Sequence, residues 1–407
     1  MLTVTRREFS QVALAFGASA RVLRASTGID DTLRGGMQRR MIPAVTAMVG
    51  GPNKITYQGA FGVRDRVSGL KVTPDSIFAI ASMTKAVTSV AAMQLVDQGK
   101  LKLDEPVSRH LPEFATLQVL QGYDPSGKPI LRPARTPVTL KHLLTHTSGF
   151  CYDTWSDEMQ KYVKAGGTAP SGVAPLVPLM FEPGARWQYG YSADWTGKLV
   201  EAVSSLTLEQ YFQRNIFEPL GMEDTSFILP AEKFDRSVSR YYRQADGSLK
   251  EEPRELPAPP TAFNGGGGLY STAPDYLKFT QMILRRGRAT NGARILQPKT
   301  VEQMSVNQIG PLSAGKLKTA NPERSSDVDM QPGATEKWGL GFLINTTPYS
   351  GGRSAGSLAW AGIWNTFYWI DPKRQLCAVI MMQFLPFVDK EAVGLLGDFE
   401  RSVYAAL

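Results

Sequence analysis

Alternating apolar and polar positions occur near both ends of the chain. Val45–Val49, Ile55–Gly59 and Phe61–Arg64, divided by Gly50-Gly51-Pro52-Asn53, carry the period of two that marks strands. Gly339–Ile344, Asn365–Ile370 and Leu376–Met382 read as strands again, with Asp371-Pro372-Lys373-Arg374 turning the chain between the last two. Asp30 to Met41, stopping before Pro43, and Glu391 to Tyr404 read as helices. From Ser82 to about Leu284 the spacing turns mostly helical, in patches such as Leu140–Thr145, Ala193–Ser204 and Leu208–Phe217. Pro/Gly loops join them, including a Pro-rich stretch at Glu252–Pro260. Strands at both ends with helices between predict an α+β fold: one antiparallel sheet made from both termini, flanked by helices, with a mostly helical insert. The division expected is a sheet domain from residues 26–81 and 285–407 and a helical domain from 82–284, with a functional cleft between them.

One helix pattern carries chemistry. Ala86 to Val96 is a long, glycine-free apolar run that ends at Asp97-Gln98-Gly99-Lys100, a glycine stop. Ser82-Met83-Thr84-Lys85 opens it. Residues i and i+3 are neighbours on one helix face, so a hydroxyl and an ammonium share the first turn. That turn has unpaired N–H groups and partial positive charge. A serine there can attack a carbonyl while the lysine takes or relays its proton, the Ser-Lys alternative to Ser-His activation. The same four residues also describe a helix N-cap beside a surface lysine. Ser-x-x-Lys occurs twice more, at Ser68–Lys71 and Ser313–Lys316, but both sit among turn residues with no apolar run behind them.

Gly352-Arg353-Ser354-Ala355-Gly356 fits the Gly-x-Ser-x-Gly elbow of another hydrolase fold. There the histidine follows the serine, whereas His110, His142 and His146 all precede Ser354. A glycine-rich loop is the better account. His142 and His146 have the spacing of two ligands on one helical face, but a zinc site needs a third and usually a glutamate nearby, so they read as ordinary helix-end histidines. Cys151 and Cys377 form neither a disulfide framework nor a metal pattern. No metal or cofactor is expected.

Composition narrows the rest. The 407 residues suffice for two domains or one large one, and 43% hydrophobic with 20% charged is globular. The net charge of +8 is scattered, without a Lys/Arg block or interleaved aromatic platform, so nucleic acid is not an expected partner. No apolar run approaches the ~20 residues of a membrane helix, so no membrane insertion is expected. Oligomeric state cannot be read. Residues 1–25 resemble a twin-arginine export signal: Arg6-Arg7 with Phe9 close behind, a short apolar stretch, and Ala18-Ser19-Ala20. Its use would place the protein in the periplasm or outside the cell; otherwise the protein is cytoplasmic.

Further motifs follow in order. They are Leu143-Leu144-Thr145-His146-Thr147-Ser148-Gly149, Glu182-Pro183-Gly184-Ala185-Arg186-Trp187-Gln188-Tyr189, Ile216-Phe217-Glu218-Pro219-Leu220-Gly221-Met222, Gly266-Gly267-Gly268-Leu269-Tyr270-Ser271-Thr272 and Trp360-Ala361-Gly362. With Ser82–Lys85 they resemble the serine β-lactamase/penicillin-binding-protein superfamily on its class C side, and within it the family VIII carboxylesterases, over about residues 30 to 400. The resemblance gives Tyr189 the role of the superfamily's Tyr-x-Asn tyrosine, passing a proton between Ser82 and the leaving group. A phenol, with a pKa near 10, is a poor base alone, but a neighbouring ammonium favours its phenolate. Here the motif is Tyr189-Gly190-Tyr191, without the asparagine, and Tyr191 is the alternative for the same role. No Lys-Thr-Gly occurs; Trp360-Ala361-Gly362 takes its place, so an apolar wall stands where relatives hold a cation for a substrate carboxylate. Gly362 lets the strand approach closely, and the N–H groups of Ser82 and Ile363 are the implied oxyanion hole. Tyr191, Trp360, Ala361 and Gly362 are the implied substrate-binding residues.

The expected activity is hydrolysis of small carboxylic esters, short-chain acyl groups preferred, through a Ser82 acyl-enzyme. The alternatives are a β-lactamase, a D-amino-acid amidase or peptidase, and a transesterase using the same intermediate. A non-catalytic peptidoglycan-binding protein is the reading least compatible with intact Ser82, Lys85 and Tyr189.

Overall fold

The computed structural model describes residues 27–407, so the paired-arginine segment lies outside the described residues. Seven strands form the central sheet: β1 Ala44–Gly50, β2 Ile55–Gly62, β3 Glu336–Trp338, β4 Leu343–Asn345, β5 Leu358–Gly362, β6 Thr366–Asp371 and β7 Leu376–Met381. Their order is β2-β1-β7-β6-β5-β4-β3, every neighbouring pair antiparallel. β1 makes the join between the ends of the chain, pairing with β2 on one side and setting Thr46 opposite Met381 of β7 on the other. All seven of its residues are buried, which is why Ala44-Val45-Thr46-Ala47-Met48-Val49-Gly50 has no charged position.

Two details differ from the sequence pattern. Gly339–Ile344 is not one strand: Gly339 N–H donates to Phe342 O at 2.8 Å and Gly341 has φ +98°, so the chain turns between β3 and β4. Hydropathy alone cannot see a turn inside an apolar run. The central region is also less purely helical than expected, holding the hairpins Gln118–Tyr123/Pro129–Pro133 and Tyr241–Arg243/Leu249–Glu251. The second closes through Asp246-Gly247, with Gly247 at φ +82°.

Strand alternation sorts the helices onto two faces. On β6, Trp369 meets Phe399 (ring centroids 5.7 Å) of the closing helix Lys390–Ala405, while its neighbour Tyr368 meets Tyr276 (5.1 Å) on the opposite side. The first helix, residues 27–40, is tied to the closing helix by Arg40–Asp398 at 2.6 Å. Tyr276 belongs to Ala273–Leu284, which also bonds the β1–β2 turn through Gln281 Nε2 and Gly51 O at 2.8 Å.

Beyond that second face lies the helix Thr84–Asp97, labelled α1 below, in which every residue from Thr84 to Leu95 is buried. A helix buried all round must be apolar or small all round, as Ala86-Val87-Thr88-Ser89-Val90-Ala91-Ala92 is. It stops at Gly99 (φ +72°), where Lys100 N–H reaches back to Leu95 O at 2.9 Å. Ser192–Ser204, labelled α2, lies against it.

Candidate active site

The serine stands on a constrained turn. Phe78–Ala79 pairs with Tyr270–Ser271, then Ala81–Met83 makes a 3-10 turn that runs into α1 at Thr84. Ser82 therefore precedes the α-helix proper by two residues. Ala81, just before it, has φ +42°, a conformation costly for a side-chain-bearing residue and found where surrounding structure dictates it. The surroundings are visible: Ile80 N–H donates to Leu269 O at 2.9 Å, Leu269 N–H to Thr84 Oγ1 at 3.3 Å, and Tyr276 Oη to Met83 O at 2.8 Å. The glycine-rich segment before Leu269 is thus stitched to the serine turn.

Lys85 is 2% exposed, one turn further along. Its Nζ donates to Ser82 Oγ at 3.0 Å, to Tyr152 Oη at 3.2 Å and to Gly266 O at 2.5 Å. Tyr152 Oη in turn donates to Asp194 Oδ2 at 3.0 Å. Asp194 is buried in the first turn of α2 and occupies the space beside Gly266, where a Cβ would lie 2.3 Å from its carboxylate. Glycine is required there for this contact. Burial pushes the Asp194 carboxyl up, and the charge of Lys85 opposes that. Burial, then Asp194, pushes the Tyr152 phenol well above its ordinary value.

Tyr189 is buried with Lys85 Nζ 4.7 Å above its ring, but its oxygen points elsewhere: it accepts from Trp360 Nε1 at 3.1 Å. Trp360 is therefore more than the apolar wall expected of it. Its indole meets Tyr189 (5.0 Å) and Trp338 (4.7 Å), and Tyr189 also meets Trp155 (5.4 Å) and Tyr152 (5.4 Å), so Tyr189 sits in a cluster of rings, two of which, its own and that of Tyr152, face the lysine. Tyr191 packs on Tyr152 at 4.4 Å and is half-buried; burial, then Asp153, raises its phenol. The phenol bonded to Lys85 is Tyr152, not Tyr189 or Tyr191.

At the end of β5, a Cβ on Gly362 would lie 2.2 Å from Ile80 O. No side chain fits, and the strand end lies against the serine turn. Ile363 is the next residue, in a turn closed by Asn365 N–H to Gly362 O at 3.0 Å, with Asn365 at φ +61°. Ala361 stands opposite Phe367 on β6. Alternation turns its methyl to the face opposite that of Trp360.

The rival groups lie elsewhere. Ser354 N–H donates to Asp371 Oδ2 at 2.9 Å, and its carbonyl accepts from Asn345 and Ser357, in a loop whose Arg353 is paired with Glu400 at 2.6 Å. Ser68 is a turn residue bonded to Asp65, and Ser313 lies in a loop. His142 completes the cap of its own short helix, accepting from Thr139 N–H at 3.2 Å. His146 is buried against Tyr189 and Trp338; burial and then Lys85 hold its imidazole well below the ordinary value. Among the described residues no group of three or more His, Cys, Asp or Glu could hold a metal, and no helix is long and apolar enough to cross a membrane.

Residues 29–397 match the family described as Beta-lactamase. The chain is 32% identical over 401 residues to monacolin J acid methylbutanoyltransferase of Aspergillus terreus, covering 93% of this chain and 95% of that protein. To lovastatin esterase of Penicillium rubens it is 30% identical over 379 residues, covering 89% and 94% respectively. Among solved structures it is similar to the LovD6 mutant of Aspergillus terreus simvastatin synthase, with a TM-score of 0.80 and 31% identity over 93% of this chain and 96% of that one. Family match, near-full-length relatives and a sheet drawn from both ends of the chain agree: this chain belongs to the beta-lactamase family.

Proposed function

We propose that the protein is a serine acyltransferase, moving a short acyl group from an ester donor to an alcohol through an acyl-enzyme on Ser82. Simple hydrolysis, the main expectation from sequence, becomes the second reading. The observation that carries transfer is the 32% identity along 93% of the chain to a methylbutanoyltransferase. Hydrolysis keeps its own support, in the 30% identity to a lovastatin esterase and in the family VIII carboxylesterase resemblance. The two reactions differ only in which hydroxyl meets the acyl-enzyme.

In this mechanism Ser82 Oγ bonds to the donor carbonyl carbon as its proton passes to Lys85, which it touches at 3.0 Å, with Tyr189, whose ring Lys85 faces, as the group paired with it in onward transfer. The oxyanion rests on the N–H groups of Ser82 and Ile363, and the donor's alcohol leaves with the proton. An acceptor hydroxyl then attacks, surrendering its proton to the same pair, and Ser82 is restored as the acyl group departs.

The test is partition. With p-nitrophenyl butyrate and rising concentrations of a neutral secondary alcohol, the butyryl ester of that alcohol should grow at the expense of butyric acid. Acid alone at every alcohol concentration would leave the hydrolase reading. Absence of both p-nitrophenol release and a Ser82 adduct would return the chain to a binding role.

A further inference from the structure

Away from the serine, Glu336 is a buried carboxyl group with almost nothing bonded to it. It is 1% exposed, Oε2 has no hydrogen-bond partner, and Oε1 has only the Tyr349 hydroxyl at 3.4 Å. Asn345 stands opposite it across β3 and β4 and is 3% exposed. The two amide hydrogens of Asn345 go to Thr347 O at 2.7 Å and Ser354 O at 2.9 Å. Its Oδ1 is therefore a fixed acceptor, and that atom is unpartnered too. Both residues line one narrow cavity between the sheet and the closing helix, whose wall is otherwise mostly apolar, with Val328, Leu343, Phe367, Phe387 and Leu396.

The charges around Glu336 are already matched to one another. Arg353 and Lys316 are the cations facing it, and Asp329 is the other carboxylate. Arg353 is taken by Glu400 of the closing helix, through Nε at 2.9 Å and Nη2 at 2.6 Å, and Lys316 is taken by Asp329 at 3.1 Å. Among the described residues no salt bridge reaches Glu336. A carboxyl group buried in this way either keeps its proton or gains a cation. Burial pushes it up to about 7, against the pull of Arg353, so both states are within reach near neutral pH.

We propose that this cavity binds a small primary amine, its ammonium held between Glu336 Oε2 and Asn345 Oδ1 and its short aliphatic body against Leu343, Phe367 and Leu396. An ammonium supplies what the cavity lacks, one positive charge and N–H donors for two acceptors. A hydroxyl brings one hydrogen and no charge, and an anion would meet two bare oxygens. The narrowness of the cavity limits the body to a few carbons. Neither Ser82 nor Lys85 lines it, so this site stands or falls apart from the acyl-transfer reading.

The test is calorimetric titration of the full chain with n-butylammonium chloride at pH 6 and pH 8. The amine is charged at both, whereas Glu336 must lose its proton to receive it, so Kd should fall about tenfold between them. Butan-1-ol, with the same body and no charge, should bind roughly ten- to a hundredfold more weakly than the amine at pH 8. Glu336→Gln keeps the shape, and should weaken the amine by a similar factor and remove the pH dependence. No saturable heat from the amine at either pH would overturn the proposal and leave the two oxygens to water. Equal affinity for butan-1-ol would overturn the ammonium, and unchanged amine binding by Glu336→Gln would put the amine elsewhere and overturn the site. Should Glu336→Gln not fold, a wild-type crystal grown with n-butylammonium decides. Its nitrogen is expected in contact with Oε2 and Oδ1, and a nitrogen beside Ser82, or nowhere, refutes the proposal.

Discussion

Adding one methyl group at Gly362 tests whether the approach of β5 to the serine turn builds the active site. A Cβ there would lie 2.2 Å from Ile80 O and 2.4 Å from Thr366 Oγ1. Ordinary contact begins at 3.4 Å, so the strand end and the turn must separate by about 1 Å. Neither side yields easily. Ile80 is held by Leu269 and the turn by Tyr276, while Gly362 is paired with Thr366 across β5 and β6. Overpacking of this kind costs ~1–3 kcal/mol of stability. The effect on rate should be larger, because displacing a reacting group or oxyanion donor by ~1 Å is worth roughly a hundredfold. Gly362→Ala should thus lower kcat for p-nitrophenyl butyrate by about two orders of magnitude while the protein still unfolds in one cooperative step. Gly28→Ala, where nothing lies within 4 Å, is the control and should be silent. A Gly362→Ala enzyme with wild-type kcat would refute the geometric argument and remove Ile363 from the oxyanion role.

Ser82→Ala should abolish turnover and covalent labelling, whereas Ser354→Ala should keep most activity; mass spectrometry locating the adduct on Ser354 would reverse the assignment. Trp360→Phe leaves the oxygen of Tyr189 without its N–H donor, and at ~1–1.5 kcal/mol per lost bond kcat should fall about tenfold; an unchanged kcat in steady-state kinetics would dismiss the bond. With tryptophan where relatives place a lysine, p-nitrophenyl butyrate should exceed nitrocefin in kcat/KM by roughly ten- to a hundredfold, and the reverse order would favour a lactamase. Glu336, 1% exposed with Oε2 unpartnered, is pushed up to about 7 from its ordinary 4.5 by burial, against the pull of Arg353. Between those pH values the folded state holds a proton that the unfolded state has lost, so stability falls as pH rises, by up to about 1.4 kcal/mol per unit. Denaturant titrations should therefore show the stability of Glu336→Gln relative to wild type rising from pH 4.5 to pH 7, and a constant difference would contradict the shift.

The parts of this protein legible in its sequence are those whose partners lie close along the chain or repeat with a fixed period. β1, β6 and β7 declare themselves by apolar runs bounded by turn residues, and Ser82–Lys85 by a spacing of three at the head of an apolar helix. The turn at Gly339–Phe342 does not, because residues apolar enough for a strand also suit a buried turn. The chain of hydrogen bonds Lys85–Tyr152–Asp194 is illegible for a stronger reason. Tyr152 lies 67 positions from Lys85 and 42 from Asp194, so no local pattern links them. The local pattern even misleads: Asp194 and Lys198 have the i,i+4 spacing of an exposed helix pair, but Lys198 bonds Glu201 at 2.8 Å, and Asp194 faces inward. What the sequence does hold is an indirect trace, the glycine run from Gly265 to Gly268. A Cβ at Gly265 would strike Ala193 O at 2.5 Å, and one at Gly266 would strike Asp194. Successive glycines in a segment that must be ordered mean that something presses against its backbone on each side. Here those things are the first turn of α2, which carries Asp194, and Lys85, which donates to Gly266 O. The glycines thus mark the position of a carboxylate that no motif names.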